Sequence, residues 1–276
     1  MRMFDKIAVV GTGLIGGSIA LAVKKRKLAR VVIGVSRRKQ SLILAKNTGA
    51  IDRGSQDISI IRDADFVILA TPVSTILKSA RQISRIVKPG CIICDVGSTK
   101  QEIVSKLTPL IPHFVGSHPL AGSEKRSIKN ASAALFENSI CVLTPVRTTD
   151  NKALIRVKKF WSRLGACVIT MEPGRHDQIL SFVSHLPHVI SFTLINSIPP
   201  AYFRFAASSL KDTTRISASD TDIWLDIFFS NRKNILAATR TFTHRLSEIR
   251  KALINKDRRS LRRILIKAKS KRENLH

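Results

Sequence analysis

Gly11, Gly13 and Gly16 stand in the spacing G-x-G-x-x-G, and the chemistry of that pattern is the cradling of a pyrophosphate. One glycine makes a tight turn, one lets a phosphate approach the backbone, and one lets helix and strand pack closely. Leu14 and Ile15 occupy the variable positions and begin an apolar helix, whose free N–H groups and positive dipole end face the phosphates. The spacing alone is weak evidence, but its setting is informative. Ile7-Ala8-Val9-Val10 precedes it, the helix follows, and Val31 to Val35 closes a strand–turn–helix–strand unit running from Lys6 to Arg38. A dinucleotide-binding unit is expected. NAD-specific units end the second strand on Asp or Glu, which binds the ribose 2′-hydroxyl. Here Ser36-Arg37-Arg38 stands at that place, and two guanidinium groups suit a 2′-phosphate. The expected cofactor is NADP or NAD, with NADP, or use of both, favoured over NAD alone.

Cys91 and Cys94 form a C-x-x-C that invites a redox or zinc reading. They lie in Cys91-Ile92-Ile93-Cys94-Asp95-Val96, which reads as a buried strand, and residues three apart on a strand point to opposite faces. No second C-x-x-C or His pair completes a zinc set. No metal site is expected.

These motifs need elements to position them. Lys39 to Thr48 and Ser74 to Val87 read as helices, and Asp65 to Ala70 as a strand followed by Thr71-Pro72. Gly97-Ser98-Thr99-Lys100 opens a helix to Leu107. Phe114-Val115-Gly116 reads as a short strand ending in a loop at His118-Pro119. Ser139 to Leu143 and Cys167 to Thr170 are strands around a helix from Lys152 to Leu164. Alternation of this kind predicts an α/β fold, a parallel doubly wound Rossmann sheet whose ligands sit at the carboxyl ends of the strands. The turns after those strands are therefore the functional inventory: the glycine turn, Thr71-Pro72, Ser98 and His118. From about Glu172 the pattern turns helical, with a long helix from His176 to Ser197. Two domains are expected, residues 1–170 for the dinucleotide and 171–276 as an all-helical domain. The helical part carries more apolar surface than about 100 residues bury alone, which predicts a homodimer through it.

The chain of 276 residues has ordinary globular composition, 44% hydrophobic and 24% charged, but a formal charge of +28. Eleven Lys/Arg against two Asp/Glu fall in residues 250–276, and the rest of the excess is spread along the chain. A dedicated nucleic-acid site would concentrate charge with interleaved aromatics, and aromatics are 5%. The bias is read as general, with benefit to anionic ligands and no specific nucleic-acid partner. No secretory signal and no uninterrupted apolar run of about 18 residues is seen, so a cytoplasmic protein with no membrane partner is expected.

The segments GTGLIGGSIA, DVGSTK, SHPLAGSE, VSHLPHVISF and KDTTRISASDTDIW together resemble the prephenate/arogenate dehydrogenase family of tyrosine biosynthesis. The resemblance spans nearly the whole chain. It implies oxidative decarboxylation of prephenate to 4-hydroxyphenylpyruvate with a nicotinamide cofactor, or of arogenate to tyrosine. A β-hydroxyacid dehydrogenase and a basic nucleic-acid-binding protein are the weaker alternatives. The resemblance places the proton acceptor on His118, a role that suits a neutral imidazole. It gives Ser98 a bond to the substrate hydroxyl and a part in orienting that histidine; a helix cap is the other use of a serine there. It assigns Arg215 to the ring carboxylate, which a planar fork suits. It places His188 at the substrate pocket, with His185 there or in the core. Glu124 matches a gating acid, and Asp212 and Trp224 match residues framing the pocket, an ion pair being the other account of Asp212. Ser208-Ser209 stands where many members have two glycines.

Overall fold

The computed structural model describes residues 2–121 and 127–275. These form two compact units, 1–231 and 232–276. The first begins with β1 (Phe4–Val10), α1 (Leu14–Lys25), β2 (Ala29–Val35), α2 (Lys39–Asn47) and β3 (Arg53–Ser55). It continues with β4 (Phe66–Leu69), α3 (Val73–Ile86), β5 (Ile92–Asp95), α4 (Gln101–Leu107) and β6 (Phe114–Pro119). After these come β7 (Ile140–Thr144), α5 (Asn151–Arg163) and β8 (Cys167–Thr170). The strands make one sheet in the order β3-β2-β1-β4-β5-β6-β7-β8.

Val10 pairs with Val35 and with Leu69, and Leu69 pairs with Asp95. The carboxyl ends of β2, β1, β4 and β5 therefore line up as one edge. The strand order reverses between β1 and β4 on that edge, the place where doubly wound sheets bind ligands. The apolar stripe Val73, Ile76, Ala80 and Ile83 of α3 is buried, as helical spacing requires. On the other face Phe4 stacks on Phe66, and Phe66 meets Phe160 edge-on, each at 4.8 Å between ring centroids. Cys91 belongs to one core layer and Cys94 to the other, so the C-x-x-C straddles the sheet. Burial pushes the Cys91 thiol up to about 12 and raises that of Cys94 as well.

The sheet corrects the all-parallel expectation at one pair. β6 and β7 run antiparallel, with His118 opposite Val142, whereas the other pairs are parallel. A parallel crossover needs a helix of its own, and the described part of this connection holds only a 3-10 turn at Ile128–Asn130. The antiparallel partner also lengthens β6 through Pro119. His118 consequently sits on a strand, where the sequence reading had put a loop.

From Pro173 onward every element is helical. The first unit closes with α6 (Pro173–Leu180), α7 (Leu186–Asn196), α8 (Ser208–Thr214) and α9 (Thr221–Ser230). Helices α6 and α7 are joined by a π turn at Ser181–His185, so the single regular helix read from the sequence is interrupted. Pro187 lies at the start of α7 and cannot donate the regular backbone bond, and a π turn accommodates that loss. By length and composition alone this 173–196 helix could cross a membrane. Its polar residues His176, Asp177 and His185 are nevertheless buried and bonded within the fold, as described below. The second unit is a helical hairpin of α10 (Arg232–Ile254) and α11 (Arg258–Glu273). Leu246, Leu253, Ile254, Leu265 and Ile266 are exposed on it.

Candidate active site

The glycine turn is built as a dinucleotide cradle. Gly11 has φ +103°, a region that favours glycine, and its N–H donates to Val35 O at 2.8 Å. A Cβ there would lie 2.4 Å from Ala70 O, and a Cβ on Gly16 would lie 1.9 Å from Gly11 O. Packing thus demands glycine at both. A Cβ on Gly13 would meet nothing within 4 Å, so the fold itself leaves that position free to carry a side chain. The open space beside Gly13 is where the motif brings a phosphate to the backbone. Leu14 and Ile15 open α1, with no side chain capping its N-terminus. Thr71 lies against the turn, its methyl 3.0 Å from the Gly11 Cβ position, and Pro72 caps α3.

Beyond β2, Ser36 N donates to Ser55 O at 3.3 Å, and Ser36 Oγ accepts from Arg38 N at 3.3 Å. Gln56 Nε2 holds Arg37 O at 2.7 Å. The Arg37 and Arg38 side chains are exposed, with no ion-pair partner among the described residues. This donor set fits a dinucleotide.

Further along the same carboxyl edge lies a buried polar network that only the folded structure assembles. Asp95 ends β5, and Lys100 precedes α4; both side chains are wholly buried. Asp95 accepts from Gly97 N at 2.8 Å, from Ser117 N at 3.1 Å and from Lys100 Nζ. Lys100 Nζ also donates to Ser117 O at 2.9 Å, the residue before His118. His118 is half-buried. Its Nδ1 lies 2.9 Å from His176 Nε2, and His176 Nδ1 lies 2.7 Å from Asp177 Oδ1. Asp177 further accepts from Lys100 N at 2.7 Å and Gln101 N at 2.9 Å, so it caps α4 from another helix. Asn231 Nδ2 donates to Asp177 O at 2.7 Å and meets His185 Nδ1 at 3.1 Å.

Desolvation holds the His118 imidazole well below the usual histidine range, and the neighbouring His176, Lys100 and His185 push the same way. Burial lowers His176 against the opposing pull of Asp177, and lowers His185 to about 4. Neutral His118 with a lone pair is a proton acceptor at physiological pH.

A second group of residues forms an aromatic wall. His188 stacks on Trp224, with centroids 3.5 Å apart, and His188 Nδ1 lies 3.0 Å from Ser184 O. His185 meets Trp224 edge-on at 6.0 Å. Burial lowers His188, and the positive charge of Arg215 lowers it further, which places Arg215 within electrostatic reach. Arg215 begins a 3-10 turn after α8 and is exposed. Two bonds tie this helical segment to the sheet edge, Ser74 N to Asp226 Oδ2 at 3.1 Å and Thr99 Oγ1 with Ser230 Oγ at 2.9 Å, while the Asn231 bond to Asp177 O joins the end of α9 to α6.

His118 is thus linked through His176, Asp177, Asn231 and His185 to Trp224 and His188, with Arg215 within electrostatic reach of His188. Ser98 is half-buried in the loop between β5 and α4. It does not cap α4, whose first N–H groups go to Asp177, and among the described residues nothing bonds its hydroxyl. The partner that orients His118 is His176. Asp212 is exposed on α8, with no bond to the cluster among the described residues. Glu124 lies outside the described residues. Ser208-Ser209 open α8. Sequence reasoning missed Asp95, Lys100, His176, Asp177 and Asn231. A signal existed for two of them, since an adjacent His-Asp pair is out of place in so apolar a helix.

Two family profiles divide the chain. The nucleotide-binding domain of prephenate dehydrogenase matches residues 19–170, and the dimerization domain of prephenate dehydrogenase matches residues 172–267. The prephenate dehydrogenase of Bacillus subtilis is 35% identical over 99% of this chain and 77% of its own length. The cyclohexadienyl dehydrogenase of Zymomonas mobilis is 32% identical over 93% and 91%. The crystal structure of prephenate dehydrogenase from A. aeolicus, in complex with hydroxyphenyl propionate and NAD+, superposes with a TM-score of 0.95. It is 32% identical and covers 99% of this chain and 98% of that one. Matches of this extent in sequence and fold make the chain a member of the prephenate dehydrogenase family.

Proposed function

We propose that this chain is a prephenate dehydrogenase, which oxidises and decarboxylates prephenate to 4-hydroxyphenylpyruvate in tyrosine biosynthesis. The observation that carries this reading is a neutral, half-buried imidazole, His118, held by a fixed partner at the carboxyl edge of a dinucleotide-binding sheet. In this reading residues 1–170 hold the dinucleotide, and residues 171–276 hold the substrate and the dimer contact.

The residues divide the work as follows. Gly11, Gly13 and Gly16 let the pyrophosphate lie on the backbone, and Thr71 and Pro72 wall the turn. When bound there, a nicotinamide dinucleotide supplies the acceptor for the hydride leaving the ring carbon that bears the hydroxyl. His118 Nε2 takes the hydroxyl proton as that carbon becomes a carbonyl. The bond from the quaternary ring carbon to the carboxylate then breaks, carbon dioxide leaves, its electron pair makes the ring aromatic, and the ring oxygen takes back a proton to become the phenol. Ser98, with a free hydroxyl on the same edge, bonds the substrate oxygen. Arg215 pairs with the ring carboxylate, the stacked His188 and Trp224 pack the ring, and Asp212 and Glu124 border the pocket. Arg215→Gln is expected to raise KM for prephenate about 10–100-fold, the worth of a charge-assisted pair, with kcat within a few-fold. Steady-state kinetics check this.

For the cofactor we infer NADP, or use of both, from the exposed pair Arg37 and Arg38 after Ser36 and from the lack of an acid there. The A. aeolicus relative was crystallised with NAD+. Arg37→Ala with Arg38→Ala is expected to raise KM for NADP by about 10-fold or more while leaving KM for NAD within about twofold. Equal effects on both cofactors would remove the 2′-phosphate role. The exposed apolar residues of the helical part support a homodimer and are no evidence for a membrane partner. The same reading places the enzyme in the cytoplasm. Comparing kcat/KM for prephenate and arogenate tests the substrate, and a preference for arogenate would replace the first with the second.

A further inference from the structure

His176 and Asp177 touch neither cofactor nor substrate in the proposed reaction, yet they are among the most completely buried polar residues of the chain. Their bonds fix a proton order. Both Asp177 oxygens accept backbone N–H groups from Lys100 and Gln101, so the carboxylate stands as acceptor toward the ring beside it. His176 Nδ1, 2.7 Å away, must then be the donor. A neutral His176 has its lone pair on Nε2, and that atom faces His118 Nδ1 at 2.9 Å. His118 Nδ1 must in turn carry the proton, which leaves His118 Nε2 bare.

We propose that Asp177 and His176 are positioning residues that fix the tautomer and ring orientation of His118, so that Nε2 always presents its lone pair to the substrate hydroxyl. The proposal rests on the reading of His118 as proton acceptor. In the step it serves, the substrate O–H bond breaks and the His118 Nε2–H bond forms. His118 becomes an imidazolium whose Nδ1–H still donates to His176, and no proton passes along the chain. The proton later leaves from Nε2 to the ring oxygen, which becomes the product's phenol. The anchoring is rigid because His118 lies on β6, His176 and Asp177 lie on α6, and Asp177 is held by backbone N–H groups at the start of α4. None of them can turn without breaking a bond to another element.

The test is ring-nitrogen NMR of the resting, 15N-histidine-labelled wild type near pH 7.5, joined to two variants. The wild type is expected to show His118 protonated at Nδ1 and bare at Nε2. His176→Gln places an amide oxygen where Nε2 stood and is expected to keep kcat within about 10-fold. His176→Leu removes the acceptor. It is expected to lose about 10²–10⁴-fold in kcat, the upper end being the loss that the wrong tautomer causes in a serine-protease triad, with KM for prephenate within twofold, and to raise the Nε2–H form of His118. An Nε2–H tautomer in the wild type overturns the proposal, as do equal losses in the two variants. The tautomer is read without substrate. If the wild type oxidises neither prephenate nor arogenate, the functional reading fails while the positioning claim is still decided.

Discussion

His118→Asn is expected to lower kcat for prephenate oxidation by about 10²–10⁴-fold, the usual worth of a positioned general base, and to leave KM within about twofold. The asymmetry follows from what the ring does. In its proposed role it meets the substrate through one hydrogen bond, which strengthens only as the hydroxyl proton departs, so its loss falls on the transition state. The pH profile sharpens the prediction. Burial lowers the His118 pKa, so the active, neutral form persists as pH falls through the ordinary histidine value near 6.5. In the wild type kcat/KM should therefore stay level through pH 6.5 and decline only below it. In His118→Asn that acid limb should disappear. A variant that raises KM and spares kcat would assign His118 to binding instead.

The second large effect is on stability. Asp95→Ala is expected to cost about 3–5 kcal/mol, the cost of leaving a buried charge without its partner. Lys100 would keep only Ser117 O as acceptor for a wholly buried ammonium. Lys100→Met should cost less, because Asp95 retains the N–H groups of Gly97 and Ser117 and the methionine stem fills much of the space. Urea unfolding of the three proteins, followed by tryptophan fluorescence, checks the order, since Trp161 and Trp224 are buried in the first unit. Equal costs, or a larger cost for Lys100→Met, would contradict it. The pair also tethers the strand bearing His118 to the loop bearing Ser98, so Asp95→Ala should lose turnover together with stability.

The contrast between these two sites shows what the sequence could disclose. The glycine turn was legible because each glycine answers a local demand, visible as spacing between an apolar strand and an apolar helix. Alternating strands and helices likewise announced the doubly wound sheet. The antiparallel β7 was not legible, since strand direction depends on what a connection does in space and β7 has the same apolar composition as its parallel neighbours. The π turn was hidden for a related reason: Pro187 could be seen, but how the helix absorbs it could not. The buried network was the least legible part. Asp95, Lys100, His176, Asp177 and Asn231 lie up to 136 positions apart in sequence, and each alone resembles an ordinary surface polar residue. Only their shared burial makes them a unit, and burial is a property of the fold.

The central claim is that this molecule oxidises a cyclohexadienol carboxylate and releases carbon dioxide from it. Purified wild-type protein incubated with prephenate and either NADP or NAD tests it most directly, with reduced cofactor, carbon dioxide and 4-hydroxyphenylpyruvate measured together. The account predicts all three in equal amounts, with faster turnover on NADP than a cofactor-blind site would give. Reduced cofactor formed from a β-hydroxyacid, with none formed from prephenate or arogenate, would contradict it.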